Sequence, residues 1–145
     1  MPLVGLEPAA ELLPGPLAQP LLLHTFVALA NRQLPEQGCL ILDFLPEKPT
    51  DPATAVSLAT GLGTAGVLRV RRRKGPLQGR ALRTRLETRF QEARSDAAVL
   101  DVVEQLNSTW DTRLQLLTND CRHYSAALLT ALTGRSYTLE DVQIR

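Results

Sequence analysis

Apolar positions in this chain fall into short runs that proline, glycine and polar clusters separate. Residues 21–30, LLLHTFVALA, follow Pro20 and stop at Asn31-Arg32-Gln33. Length and flanks predict a buried strand, although periodicity alone also fits a helix. Residues 39–45, CLILDFL, form a second such run, closed by Pro46. The two read as a hairpin with a loop of about eight residues, longer than usual. Asp51-Pro52 is a helix start, an N-cap acceptor followed by proline at the first helical position. Ala55, Val56, Leu58 and Ala59 continue that helix and Gly61 ends it. Residues 66–73, GVLRVRRR, predict a strand that runs into the basic turn RRRKGP.

Residues 81–90 are ambiguous. Leu82, Leu86 and Phe90 share a face in a strand or a helix, and the alternation of Arg83, Arg85, Glu87 and Arg89 favours a half-exposed strand. Ser95-Asp96 then caps a helix carrying Val99, Val102, Val103, Leu106 and Trp110 at helical spacing. Residues 112–117 are extended. A last helix spans about 120–133, with Ala127, Leu128, Ala131 and Leu132 inward and Gly134 as its stop. The tail 136–145 adds a short strand or turn. The sum is α+β: an antiparallel sheet of four or five strands with helices packed on it.

With 145 residues the chain is one domain in length. It can bury about two-thirds of its unfolded surface, enough to fold without a metal or a disulfide. Pro2, Pro8, Pro14, Pro16 and Pro20 break regular hydrogen bonding. Residues 1–20 therefore read as a proline-rich lead-in, loosely structured, before a single domain over 21–145. Glu7 and Glu11 lie in that lead-in and no basic segment opens it, which argues against a secretory signal or transit peptide. No run approaches the ~20 apolar residues of a spanning helix. Sixteen basic and fifteen acidic side chains give a net charge of +1, and aromatics are 4%, so neither bulk charge nor stacking platforms point to nucleic acid.

Two Cys and two His, without a CxxC pair, exclude a disulfide scaffold and suit a reducing, intracellular compartment. His24, Cys39, Cys121 and His123 have metal-ligand side chains but no close Cys or His-x₃-His pair, so no zinc site is expected. No cofactor is called for. The glycines of 61–66 follow a helix rather than a strand, so they read as a turn, not a phosphate loop.

The same four residues can make one thiol active site. Cys121 opens the last helix, where unsatisfied N–H groups and the positive end of the helix dipole favour a thiolate and a developing oxyanion. Arg122 adds positive charge. Asp120 opposes it unless it serves as the N-cap. His123, two positions on, diverges around the helix and is poorly placed as base. His24 interrupts an apolar strand and needs a partner there. Asp43, which interrupts CLILDFL, is the natural group to orient it. Cys39 reads as core.

This order is an early strand His, a polar residue on the next strand, and a late Cys opening a helix as Cys-x-His-aromatic. It resembles the circularly permuted papain-like proteins, the group that contains lecithin retinol acyltransferase and its phospholipase/acyltransferase relatives. Their late Asn-Cys-Glu-His-Phe motif is matched by Asp120-Cys121-Arg122-His123-Tyr124, after Asn119. Their early His-aromatic strand resembles His24-Thr25-Phe26-Val27. Leu42 to Pro46, Trp110-Asp111-Thr112 and Asp120 to Tyr124 also resemble an uncharacterised family common in plants and algae. The likeness covers about residues 21–135. Departures are Arg122 for Glu, Asp120 for Asn, and Asp43, if anything, for the acyltransferases' second His.

The resemblance implies a permuted papain-like fold and a Cys121–His24 dyad assisted by Asp43. The implied activity is thiol-dependent hydrolysis or acyl transfer on a lipid ester, amide or isopeptide, in the cytoplasm or a plastid. The alternative is a non-catalytic interaction module retaining the fold. Arg69, Arg71, Arg72, Arg73 and Lys74 form either a solvated strand end or a dock for an anionic partner.

Overall fold

A computed structural model describes residues 3–9, 24–30, 38–75, 82–93 and 95–142. The strands are β1 (Leu3–Ala9), β2 (His24–Ala30), β3 (Cys39–Pro46), β4 (Thr64–Arg73), β5 (Arg83–Arg85) and β6 (Arg113–Leu114). The helices are α1 (Pro52–Ala59), α2 (Thr88–Gln91), α3 (Ala97–Thr109), α4 (Cys121–Thr133) and α5 (Leu139–Val142). The class is α+β. One antiparallel sheet runs in the order β5-β1-β2-β3-β4-β6, six strands where the apolar runs suggested four or five.

The added strand is β1, and it corrects the reading of the first twenty residues as loosely structured. Val4 to Ala9 pair with β2, Ala9 opposite His24, and Leu3 to Gly5 also pair with β5. Among the described residues Pro8 pairs with Thr25 of β2 alone, and a strand position with one neighbour tolerates a missing N–H. The rest of the lead-in, residues 10–20, and the hairpin loop at 31–37 lie outside the described residues.

The expected hairpin forms between β2 and β3, with Val27 opposite Leu42. Alternation then sorts the side chains of these strands. Val27, Leu29, Leu42 and Phe44 face the helices and join the main core with Leu58, Phe90, Val99, Val103, Leu128 and Leu132. Phe26, Ala28, Cys39 and Ile41 form a smaller cluster on the opposite face. Cys39 is thus core, as its apolar neighbours suggest. His24 and Asp43 share the parity of this second face. So do Arg69 and Arg71, because β4 pairs with β3 as Asp43 opposite Arg69 and Ile41 opposite Arg71.

Helix starts and stops follow the local chemistry. The Asp51 carboxylate accepts the Ala53 N–H at 2.9 Å to open α1. Gly134, at φ 69°, closes α4 in the left-handed region that glycine adopts without strain. On α4 the inward face holds Tyr124, Ser125, Leu128, Leu129 and Leu132, whereas Ala127 and Ala131 are half-buried. Residues 81–90 divide. Arg83–Arg85 is a strand as the alternation favours, and Thr88–Gln91 is a helix that brings Phe90 into the core. The tail folds as the short helix α5 rather than a strand, and Val142 anchors it. No described helix is long and apolar enough to cross a membrane.

Aromatic residues are few, yet Phe44, Trp110 and Tyr124 meet in one group, with ring centroids 5.3 to 6.3 Å apart. Edge and tilted contacts of this kind add to area burial. The group ties β3, one residue after Asp43, to α4, three residues after Cys121. Gly66 lets it fit. A Cβ there would stand 2.3 Å from Phe44 Cε2 and 2.9 Å from the Thr112 carbonyl oxygen. The ring can give way, but the Thr112 backbone, held by the Gly66 N–H at 2.7 Å, cannot move without breaking that bond. Gly66→Ala should therefore lower stability by about 1–3 kcal/mol, the usual cost of overpacking. A shift in urea midpoint at constant slope measures it, and an unchanged midpoint contradicts this packing.

Candidate active site

Cys121 is the first residue of α4 and Asp120 is its N-cap. Asp120 Oδ1 accepts the Arg122 N–H at 3.0 Å, and Oδ2 accepts the Leu117 N–H at 3.0 Å. The Arg122 guanidinium grips the same carboxylate. His123 completes the cap from the third helical position, its Nδ1 3.3 Å from the Asp120 backbone N and 3.1 Å from Oδ1. Burial would push the Asp120 carboxyl up, but Arg122, His123 and the Leu117 N–H outweigh it and bring its pKa down to about 2. Asp120 is thus ionised and aimed at the helix backbone and Arg122, the arrangement in which its charge opposes the thiolate least.

The other motif residues hold this helix end in place. Asn119 donates its amide to the Asp111 and Arg113 carbonyls at 2.8 and 2.7 Å. It also exchanges backbone bonds with Gln115, closing a tight turn. That turn sets Leu117 at φ 72°, an unusual conformation for a residue other than glycine. Tyr124 is fully buried and donates its hydroxyl to Asn107 on α3 at 2.6 Å. Burial pushes its phenol up, so it stays a donor. His123 is therefore part of the cap.

His24 stands at the first position of β2, where the start of α4 can reach it around the strand end. The Thr25 N–H points at Cys121 Sγ, 3.5 Å away. Ser125, one turn along α4, donates its hydroxyl to the Thr25 carbonyl at 3.4 Å and ties helix to strand. The His24 side chain lies close enough to Asp43 and Cys121 for both to act on its charge. Its Nε2 lies 3.4 Å from Asp43 Oδ2. The three residues singled out from the sequence are therefore brought together. Burial pushes the His24 imidazole down, and its bonds and charge interactions with Asp43 and Cys121 more than offset this, so it is held above its ordinary value.

Asp43 has no solvent exposure. Arg69 grips it in a fork, Nε to Oδ1 and a terminal nitrogen to Oδ2, both at 3.0 Å. Arg71 adds a bond to Oδ2 at 3.1 Å. Burial would raise the Asp43 carboxyl; His24 and Arg69 outweigh it and lower it to about 2. An ionised carboxylate can only accept, so the His24 proton facing it sits on Nε2. In the neutral ring Nδ1 is then the unprotonated nitrogen.

This changes the reading of the basic stretch. Arg69 and Arg71 face an anion inside the protein rather than a dock for an external one. Arg72, on the other face, lies 3.9 Å from Asp96 at the head of α3. Only Arg73 and Lys74 lack an ionic partner among the described residues. The two arginines are the site residues that sequence reasoning missed. Pairing β3 with β4 in register was the signal that could have found them. Cys39 and Cys121 are not joined in a disulfide. In comparisons with known proteins no protein-family model, no curated protein and no solved structure matches the chain.

Proposed function

We propose that this chain is a thiol-dependent hydrolase or acyltransferase of permuted papain-like arrangement, acting on an ester, amide or isopeptide carbonyl. The observation that carries the reading is His24 held between a buried, ionised Asp43 and the Cys121 thiol at a helix start. A nucleophile within reach of a base, itself oriented by a third group, is the general requirement for covalent catalysis at a carbonyl.

In this mechanism His24 Nδ1 takes the thiol proton, and Sγ attacks the carbonyl carbon. The carbonyl electron pair moves to oxygen as the C–S bond forms. The cap uses the Arg122 N–H, so the oxyanion falls to the Cys121 N–H, for which no acceptor appears among the described residues. Collapse expels the alcohol or amine, protonated by the His24 imidazolium, and leaves an acyl thioester. Water or another acceptor, deprotonated by the same imidazole, then releases the acyl group. Of the basic stretch, Arg73 and Lys74 are the exposed cations that an anionic headgroup or acidic partner would meet.

The test is a panel of p-nitrophenyl acyl esters, fluorogenic amides and a ubiquitin-like C-terminal amide, read by product release and intact mass. The expected result is an acyl adduct on Cys121 with at least one class, and loss of turnover in Cys121→Ser. No adduct, together with a Cys121 that alkylates no faster than an ordinary thiol of pKa ~8.5, overturns the enzyme reading in favour of an interaction module.

A further inference from the structure

We infer that Arg69 and Arg71 are positioning residues for His24, acting through Asp43 to fix which ring nitrogen faces Cys121. The inference rests on the reading above for its catalytic meaning but not for its geometry.

A carboxylate with one partner can turn about its Cβ–Cγ bond. Asp43 has three partners. Arg69 holds both oxygens in a fork at 3.0 Å, Arg71 holds Oδ2 at 3.1 Å, and His24 Nε2 approaches Oδ2 at 3.4 Å. A planar guanidinium fork constrains the carboxylate plane as well as its charge, which a lysine cannot do. Sheet register delivers both arginines. Asp43 is paired directly with Arg69, and Arg71, paired with Ile41, is the next side chain on the same face. Arg69 and Arg71 side chains are 39% and 49% exposed, so neither is needed to fill the core.

Two guanidinium groups beside one carboxylate keep Asp43 an acceptor, so neutral His24 carries its proton on Nε2 and leaves Nδ1 bare. The other groups around the pair are Cys121 and Tyr124 from α4, with Arg122 acting on the thiol. Among the described residues Asp43 is the hydrogen-bond partner that Nε2 shows, so its orientation depends on Asp43.

The experiment reads the tautomer directly. Imidazole ¹⁵N shifts are recorded on full-length Cys121→Ser protein, with the His24 signals assigned by loss in His24→Gln; the chain has only one other histidine. With Arg69 and Arg71 intact, neutral His24 should be almost wholly the Nε2–H form. Arg69→Gln should bring it to a mixture with roughly equal populations, because the carboxylate is no longer held in plane. Arg69→Lys, which keeps the charge without the fork, should fall between them. In the protein with Cys121 present, Arg69→Gln should slow iodoacetamide alkylation at pH 6 by several-fold. Arg71→Gln repeats both measurements at a more exposed site, where folding is least at risk. A tautomer unchanged in both Gln variants overturns the inference, whatever the activity shows. A shifted tautomer with an unreactive wild-type Cys121 upholds it and overturns the enzyme reading instead.

Discussion

His24→Ala should lower acyl turnover by about 10²–10⁴-fold while the fold persists, the range expected when a positioned general base is removed. His24 is mostly buried but sits at a strand end, so the truncation opens space beside Cys121 without cutting into the main core. Alkylation should respond less than turnover. Iodoacetamide alkylates the thiol directly and needs no protonated leaving group, so its rate should fall by only a few-fold in His24→Ala. A parallel loss of turnover and alkylation at all pH values would mean that Cys121 had become inaccessible, not that its base was gone. His123→Ala gives the control, because His123 belongs to the helix cap: it should cost stability with turnover changed far less.

His24 and Asp43 were legible as partners in the sequence for one physical reason. A histidine and an aspartate in otherwise apolar strands cannot be buried without partners, and each is the other's partner. Cys121 was legible because Asp120 and Gly134 mark a helix start and stop by chemistry that acts within a few residues. Arg69 and Arg71 were not legible as site residues. In sequence they continue the run Arg69-x-Arg71-Arg72-Arg73-Lys74, and an alternating basic strand looks the same whether its cations face water or a buried carboxylate. Only the register of β4 against β3 distinguishes the two. The strand β1 was hidden by the prolines in and around it, since nothing local reveals that Pro8 can pair with Thr25 of β2. Residues 81–90 stayed ambiguous because three-residue β5 and four-residue α2 are each shorter than the period that would identify them.

Asp120→Asn should make the protein less stable and its thiol more reactive, and the two effects separate by pH. The carboxylate accepts from the Arg122 N–H and guanidinium through Oδ1 and from Leu117 and Arg122 through Oδ2. An amide keeps one acceptor and turns a donor toward the other set, so at least one buried N–H is left unmet, at about 1–3 kcal/mol. The pH dependence has a definite sign. Asp120 titrates at about 2 in the fold against 3.8 as an ordinary aspartate, so its stabilisation is complete above pH 4 and lost as pH falls toward 2. The shift corresponds to about 2 kcal/mol, less whatever solvent screening takes from the partly exposed Arg122. The stability gap between wild type and Asp120→Asn should therefore be widest near pH 7 and narrow below pH 4. Asp43, lowered in the same way, keeps an acid transition in both proteins. Reactivity should move the other way, because the substitution removes a negative charge one residue from Sγ and releases Arg122 from its pair. Alkylation at pH 5–6 should rise by several-fold, measured against the urea midpoint in the same buffers. If alkylation falls together with stability, Asp120 serves Cys121 chiefly by holding the helix start in place, and its charge is tolerated for that geometry.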